Sequence, residues 1–213
     1  PASLSISELN PYDYGTHPIG SITEHTFVVT NSGGVDATLM TGVPLPAPFD
    51  FKGSAYPGTG GTCTATLVTL NDCTIVVNYN PTVVGVANET IQINYDDGVA
   101  TVSTTRDVQG TAVPPGFLTL SETDPYDYGP VVSGTTASHV FVVSNTGGFA
   151  VNTIAETGIS APFAYRGGTY PGTSGTCTTV LAAGATCDID IEFSPLVTGL
   201  FTDTIDIGYF DGV

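Results

Sequence analysis

The stretch Asn-Pro-Tyr-Asp-Tyr-Gly at Asn10 to Gly15 returns as Asp-Pro-Tyr-Asp-Tyr-Gly at Asp124 to Gly129. The same shift of 114 residues, from position 10 to position 124, carries Phe27 to Asn31 onto Phe141 to Asn145. Three more pairs of segments recur at this spacing: Ala47 to Phe49 and Ala161 to Phe163, Tyr56 to Thr59 and Tyr170 to Thr173, Tyr95 to Val99 and Tyr209 to Val213. About 40 of the 99 overlapping positions are identical without a gap, so we interpret the chain as a tandem duplication of one domain.

The duplication predicts two domains, residues 1–113 (unit 1) and residues 114–213 (unit 2). Each is long enough to bury a hydrophobic core of its own. The predicted linker runs from Gly110 to Gly116, where Pro114 and Pro115 favour an extended backbone.

Apolar and polar residues alternate with a period of two inside each unit, which is typical of half-buried strands. In unit 1 the clearest examples are Phe27 to Asn31, Ile75 to Tyr79 and Ile91 to Tyr95. The 26 glycines and 15 prolines leave no window for a long helix and supply turns, such as a hairpin at Asp96 to Gly98. About seven short strands in each unit predict an all-β fold of two tandem immunoglobulin-like antiparallel β-sandwiches.

The charge balance excludes two classes of partner. Only three side chains are cationic against 20 Asp and Glu, and the formal net charge is −17. This acidic surface repels nucleic-acid phosphates and anionic lipids, so we expect neither as a partner. An apolar content of 41% predicts a folded chain rather than a disordered acidic one. No apolar run reaches the roughly 18 residues that span a bilayer, so we expect no membrane insertion in this segment.

Four cysteines allow three pairings, and the duplication favours the one that repeats, Cys63 with Cys73 and Cys177 with Cys187. The spacing between the two cysteines of each pair, with no histidine nearby, fits neither a zinc pattern nor a CxxC redox motif. Two disulfides indicate an oxidising compartment. We therefore expect a secreted or cell-surface, extracellular location.

An ordered series of motifs resembles the ASH domain as it occurs in bacterial choice-of-anchor D repeats. The motifs are Tyr128 to Thr136, Phe141 to Gly147, Cys177, Leu181 to Ile191, Phe193 to Pro195, and Thr198 with Gly199, and the matching C-terminal element is Val108 to Ala112 of unit 1. The resemblance covers nearly the whole of both units. It implies a sandwich of the major sperm protein and PapD-like branch, found in tandem in large secreted or surface-anchored bacterial proteins, with no catalytic residues. Tyr14 and Tyr128 stand where phenylalanine is more usual in that family.

No pattern in the sequence predicts an enzyme, a cofactor or a metal site. His25 and His139 share the core-facing side of a strand with Phe27 and Phe141, and we interpret each ring as covering the edge of the core rather than as a ligand or base. No Gly-x-Ser-x-Gly nucleophile elbow is present.

Three carboxylates, Asp188, Asp190 and Glu192, alternate with isoleucines on one predicted strand and so share its outward face. Calcium binds clustered carboxylates of this kind. Unit 1 has no carboxylate at the three equivalent positions, which favours a solvated acidic face over a metal site.

We expect a structural repeat of an extracellular bacterial surface fibre, stalk or self-assembling filament, whose partners are other modules or copies of the same protein. The alternative is an adhesin or glycan-binding module with ligand loops at Tyr56, Pro57, Gly58, Tyr170, Pro171 and Gly172. Such aromatic, glycine-rich loops either stack on a sugar or form packed Ω-loops. A third candidate, a periplasmic pilus chaperone, is disfavoured by the two near-copies and the scarcity of cations.

The second unit is expected to lack its last strand. Val213 corresponds to Val99, so residues 114–213 have no counterpart of Ala100 to Pro114. In unit 1 that segment alternates like a strand and is expected to be the final one. Without it, unit 2 would expose an edge along Ile205 to Tyr209 and a slot in its core, which a donated strand would fill.

Overall fold

The computed structural model describes residues 1–213, and every regular element is a β-strand. The chain forms two compact units, Pro1–Val113 and Pro114–Val213. The strands of unit 1 are β1 (Leu4–Ile6), β2 (Tyr12–Pro18), β3 (Thr23–Asn31), β4 (Ala37–Gly42), β5 (Phe49–Phe51), β6 (Thr66–Leu67), β7 (Asp72–Tyr79), β8 (Gly85–Asp96) and β9 (Thr101–Val113). Those of unit 2 are β10 (Leu118–Leu120), β11 (Ala137–Asn145), β12 (Val151–Glu156), β13 (Phe163–Tyr165), β14 (Val180–Leu181), β15 (Thr186–Phe193) and β16 (Ile207–Phe210). None of the elements is a helix long and apolar enough to cross a membrane.

Unit 1 is a sandwich of two sheets around one core. One sheet has the strand order β1-β3-β7-β5 and the other the order β2-β9-β8-β4-β6. Successive side chains of a strand point to opposite faces, and every second residue of the central strands is buried, such as Phe27 and Val29 in β3 and Ile91 and Ile93 in β8. The alternating segments predicted from the sequence therefore lie in strands, and the all-β sandwich fold is confirmed.

The five-stranded sheet of unit 1 is mixed rather than purely antiparallel. β9 pairs with β8 in the expected antiparallel hairpin. Its other neighbour, β2, runs parallel to it, with Tyr12 opposite Val108. The expectation of antiparallel pairing throughout is wrong here, because β2 and β9 are far apart in sequence and are joined by a long crossover, which permits parallel pairing.

The predicted linker begins too early. β9 continues to Val113, so Gly110 lies inside the strand. A Cβ atom at Gly110 would lie 2.7 Å from the Cζ atom of the buried Tyr79 ring. This glycine allows a close approach of strand and ring, a role that the sequence does not distinguish from flexibility.

The hairpin predicted at Asp96 to Gly98 joins β8 and β9. The Oδ1 atom of Asp97 accepts hydrogen bonds from the backbone N–H groups of Ala100 and Val99, each at 2.8 Å. These hydrogen bonds favour the ionised carboxylate and lower the pKa of Asp97. The aspartate therefore stabilises the turn.

Unit 2 repeats the first sheet of unit 1 and only part of the second. Its sheets have the orders β10-β11-β15-β13 and β14-β12-β16. Residues 126–132, the counterpart of β2, form no strand, and β16 has four residues where β8 has twelve. The segment predicted to form an edge, Ile205 to Tyr209, overlaps β16, which runs from Ile207 to Phe210 and pairs with β12 alone. In unit 1, β2 and β8 both pair with β9. Residues 114–213 contain no counterpart of β9.

Candidate functional site

A buried asparagine at the end of β3 joins three parts of unit 1. Asn31 has no exposed surface. Its Oδ1 atom accepts hydrogen bonds from the backbone N–H groups of Ser3, at 3.2 Å, and Gly33, at 3.0 Å. Its Nδ2 atom donates to the carbonyl oxygens of Val35, at 2.9 Å, and Leu67, at 3.1 Å. The side chain thus uses its whole hydrogen-bonding capacity to fasten the N-terminal segment, the turn after β3 and β6.

Unit 2 contains the same network around Asn145. Its Oδ1 atom accepts from the N–H groups of Phe117 and Gly147, and its Nδ2 atom donates to the carbonyls of Phe149 and Leu181, all within 3.1 Å. The sequence reasoning missed this role. The sequence does contain a signal for this role, because an asparagine recurs on the core-facing side of the same strand in both units.

Each unit carries one disulfide, and all four cysteines are used. Cys63 is bonded to Cys73 and Cys177 to Cys187, with a Cα–Cα distance of 4.8 Å in both bridges. The pairing predicted from the duplication is confirmed. Each bridge fastens the end of the long loop after β5 or β13 to β7 or β15.

The candidate ligand loop of unit 1 is docked on β7 through its backbone. The N–H group of Val76 donates to the carbonyl of Pro57 at 2.8 Å, and the N–H group of Lys52 donates to the carbonyl of Val76 at 3.0 Å. Gly58 has a φ of +91° and passes so close to the strand that a Cβ atom would lie 2.2 Å from the Val76 carbonyl oxygen. The loop is therefore a packed element of the unit.

The Tyr56 side chain packs inward. Its ring meets Phe51 edge-on, with a centroid separation of 5.6 Å and an interplanar angle of 88°. It lies over Gly42, where a Cβ atom would be 2.5 Å from the ring. Burial raises the pKa of Tyr56 to about 12.

A cavity of about 270 Å³ opens beside the Tyr56 ring and is bordered by Asp50 and Asn80. A ligand of the loop would have to bind in this cavity, because the ring itself is packed inward. Ligand binding by the loop stays a prediction.

The equivalent loop of unit 2 covers a carboxylate. Asp190 is completely buried, so the predicted solvated face is wrong at this residue. The N–H group of Ser174 donates to its Oδ2 atom at 3.2 Å. The Nη1 atom of Arg166 lies 3.7 Å from the same oxygen. The alternation of β15 correctly places Asp190 on the outward face of the sheet, but the loop folds over that face.

The surroundings of the two loop tyrosines differ between the units. Gly42 and Phe51 of unit 1 correspond to Glu156 and Tyr165 of unit 2. Tyr170 packs edge-on against Tyr165 at 5.4 Å, and burial together with the nearby Glu156 carboxylate raises the pKa of both tyrosines. Both hydroxyls and the Glu156 Oε2 atom are buried without a hydrogen-bond partner. The loop is thus packed on an apolar base in unit 1 and on a polar one in unit 2, which the sequence reasoning did not identify.

The histidines lie at the edge of the aromatic core. The His25 ring stacks on Tyr12 with a centroid separation of 4.1 Å, and its Nδ1 atom is 2.9 Å from the Tyr12 hydroxyl. Its Nε2 atom is 3.4 Å from Glu8. His139 stacks on Tyr126 in the same way, at 4.0 Å. No group of three or more His, Cys, Asp or Glu side chains is arranged to hold a metal ion.

Buried tyrosines predict a loss of stability at alkaline pH. Burial raises the pKa of Tyr56 and Tyr128 to about 12 and raises the pKa of Tyr14 still further. The same groups ionise near pH 10 in an unfolded chain. Below about pH 10 their contribution to stability is complete, and above it the unfolded chain releases protons that the folded protein retains. We expect the urea midpoint of unfolding to fall steadily between about pH 10 and pH 12.

Tyr56→Phe is the control, because the Tyr56 hydroxyl has no hydrogen-bond partner. The variant should equal the parent protein or exceed it in stability at neutral pH and lose less stability in alkali. A urea midpoint that is independent of pH across this range would contradict the prediction.

Residues 6–111 match the family model described as HYDIN/CFA65/VesB-like, Ig-like domain. The matched span includes nearly all of unit 1. No curated protein matches the sequence.

Several solved structures are similar to this chain. The VesB protease of Vibrio cholerae is 18% identical with a TM-score of 0.42, over 52% of this chain and 31% of the protease. A Porphyromonas gingivalis W83 protein of unknown function is 13% identical with a TM-score of 0.38, over 90% of this chain and 83% of its own. The ASH/PapD-like domain 7 of human CEP192 is 13% identical with a TM-score of 0.38, over 52% of this chain and 85% of its own. This chain therefore spans about a third of the length of the protease that it matches.

The family match and the sandwich agree on the domain type of unit 1. The sheet orders and the buried alternating residues are those of a β-sandwich, and the family model describes an immunoglobulin-like domain. The two disulfides favour a location outside the cytoplasm. Unit 1 therefore has the fold of an immunoglobulin-like β-sandwich, and over residues 6–111 it is similar to the HYDIN/CFA65/VesB-like Ig-like domains, a type of domain that is generally not catalytic.

Proposed function

We propose that this chain is a pair of structural modules of the ASH type, as in choice-of-anchor D repeats, from an extracellular bacterial surface fibre, stalk or self-assembling filament. The observation that carries the proposal is that the same stabilising features recur in both units. Each unit has its own core, its own disulfide and its own buried asparagine network. Modules that each carry their own core and disulfide suit a protein that is extended outside the cell.

Electron microscopy tests this role. Negative-stain micrographs of the protein in its native material should show fibres or stalks at the cell surface that are labelled by an antibody against residues 1–213. Labelling of dispersed monomers or of the cell interior would contradict the proposal. Antibody labelling of thin sections of the same cells shows whether the protein lies at the cell surface or inside the cell.

Each disulfide should increase the free energy of unfolding of its unit by an amount that depends on the number of residues between its two cysteines. A double Cys63→Ser, Cys73→Ser variant loses a bridge across a sequence separation of 10 residues, and we expect unit 1 to lose about 2 to 3 kcal/mol. Calorimetry measures this as a lower transition temperature for unit 1. The matched Cys177→Ser, Cys187→Ser variant should lower only the transition of unit 2. An unchanged transition in either variant would contradict the expectation.

A glycan-binding role is the second candidate, and the cavity beside Tyr56 is the observation that favours testing it. Saturable binding on a glycan array that Tyr56→Ala and Tyr170→Ala abolish would support an adhesin. Calorimetry of both variants must show folded protein, because each tyrosine also packs in its unit. No binding by the parent protein would leave the structural role as the better explanation.

The three cationic side chains of the chain do not support the pilus-chaperone alternative, which requires basic residues that bind a subunit's C-terminal carboxylate. The Lys52 Nζ atom lies 2.6 Å from the Glu24 carboxylate. Arg106 donates a hydrogen bond to the carbonyl of Ile6. The guanidinium group of Arg166 faces the buried Asp190. Each of the three cationic side chains therefore has a partner within its own unit, which does not favour a role in binding the C-terminal carboxylate of a pilus subunit.

A further inference from the structure

We propose that the cavity beside Tyr56 in unit 1 binds a lysine side chain that a partner protein presents. The proposal goes beyond the structural role proposed above and does not depend on it. It assigns a different class of ligand to the cavity that the glycan-binding alternative would use, so a single set of binding measurements separates the two.

Three residues that border the cavity carry oxygen acceptors: Asp50 in β5, Asn80 directly after β7, and Tyr56 in the loop. The Asp50 carboxylate takes part in none of the four ion pairs of the chain. The Tyr56 hydroxyl is buried without a hydrogen-bond partner. An ammonium group has three N–H donors and no acceptor, so it suits a cavity whose oxygen atoms are left unpaired by the protein.

The charge of the cavity selects for a cation. Asp50 is the only charged residue in its lining, so an anionic ligand would meet a carboxylate and no cationic group. The formal net charge of −17 also attracts cations to the whole chain. A hydrogen bond between an ammonium group and a carboxylate is stronger than one between neutral groups, which favours a protonated amine over a neutral sugar hydroxyl.

The apolar part of the lining suits the stem of a lysine side chain. Pro44, Leu45 and Pro48, from the connection between β4 and β5, border the same cavity as Asp50. Lysine packs its methylene stem along apolar surface and keeps its charged end in polar surroundings. An amino sugar also carries an ammonium group but has no such stem. The combination of apolar residues and one carboxylate therefore favours lysine.

The lysine has to come from a different protein. The only lysine of this chain is Lys52, and its Nζ atom lies 2.6 Å from the Glu24 carboxylate of the same unit. A second copy would therefore present a lysine that is already paired. The expected partner is a protein with an exposed lysine, which the acidic surface of this chain attracts.

Unit 2 does not repeat the site. Ala164 and Ser194 stand at the positions of Asp50 and Asn80. The carboxylate near the loop tyrosine of unit 2 belongs instead to Glu156, at the position of Gly42, and its Oε2 atom is buried. We therefore expect binding in unit 1 alone.

The test titrates two small probes into the full chain and follows the amide signals by NMR. N-acetyl-lysine methylamide carries the ammonium group, and N-acetyl-norleucine methylamide has a four-carbon side chain without it. We expect saturable binding of the lysine probe, with signal shifts centred on residues 42–56 and Asn80. The norleucine probe should bind at least about tenfold more weakly. Glucosamine, an ammonium group without the stem, should also bind more weakly than the lysine probe.

Three variants locate the charge that binds the probe. Asp50→Asn keeps the shape of the side chain and should weaken binding at least about tenfold. Asn80→Asp adds a carboxylate to the cavity and should strengthen binding. Asn71→Asp adds the same charge at an exposed position at the opposite end of β7, where distance and salt screen it, and should change the affinity less than about twofold. Calorimetry of each variant confirms that unit 1 is folded, and Asn80→Asp keeps the test decisive if Asp50→Asn is unstable.

Several results would overturn the proposal. They are no saturable binding of the lysine probe, equal binding of the norleucine probe, tighter binding of glucosamine, and shifts confined to unit 2. Unchanged affinity in a folded Asp50→Asn variant, or equal effects of Asn80→Asp and Asn71→Asp, would also contradict it. None of these results bears on whether fibres are seen by microscopy, so failure of this proposal is distinguishable from failure of the structural role.

Discussion

Replacing Asn31 with alanine is expected to destabilise unit 1 by about 3 to 5 kcal/mol. The substitution leaves two N–H groups and two carbonyl groups without the partner that now satisfies them, at a position with no exposed surface. Each such group costs free energy because water does not replace the lost hydrogen bond. Calorimetry of the whole chain should show the transition of unit 1 at a clearly lower temperature and that of unit 2 unchanged.

Two matched variants make this result interpretable. Asn145→Ala removes the equivalent network and should lower only the transition of unit 2. Asn88 is exposed, so Asn88→Ala should change the free energy of unfolding by no more than about 0.5 kcal/mol. Equal effects of Asn31→Ala and Asn88→Ala would show that the buried hydrogen bonds do not stabilise the unit.

Replacing Gly58 with alanine should destabilise unit 1 by about 3 kcal/mol. The added methyl group would lie 2.2 Å from the Val76 carbonyl oxygen, which belongs to the backbone of a central strand and cannot move aside. The positive φ of +91° adds backbone strain. The expected measurement is a lower urea midpoint together with faster amide exchange at Val76, whose N–H group is bonded to Pro57.

Gly60 is the matched control because it separates steric contact from backbone strain. Its φ of +92° is nearly the same, yet no atom lies within 4 Å of the added Cβ position. Gly60→Ala should therefore cost only about 1 kcal/mol. If both alanine variants were equally unstable, the docking of the loop on β7 would not be the cause, and the packed-loop interpretation would be wrong.

The candidate loops show how far sequence reasoning reaches at a site. Their positions at Tyr56 to Gly58 and Tyr170 to Gly172, and the disulfides that close them, follow from the repeat alone. The inward packing of Tyr56 over Gly42 does not follow. Neither does the burial of Asp190, because alternation tells only which face of a strand a residue occupies and not what covers that face.

The sequence by itself determined the two units, the alternating strands and the cysteine pairing. These features depend on identity at a fixed spacing and on the alternation of side chains along one strand, both of which are properties of residue order. Even the last strand of unit 1 was predictable, because Thr101 to Thr105 alternate like a strand. The end of β9 was not, since Gly110 is a typical linker residue in sequence and a packing residue in the fold.

Only the tertiary structure decided which long-range partners each segment has. The parallel pairing of β2 with β9, the four partners of Asn31 and the loop over Asp190 all join residues that are distant in sequence. Local patterns carry no information about such contacts, because many folds place the same strand next to different neighbours. The contrast between β8 and β16 shows the same dependence, since similar sequences form a long strand where β9 pairs with them and a short one where it does not.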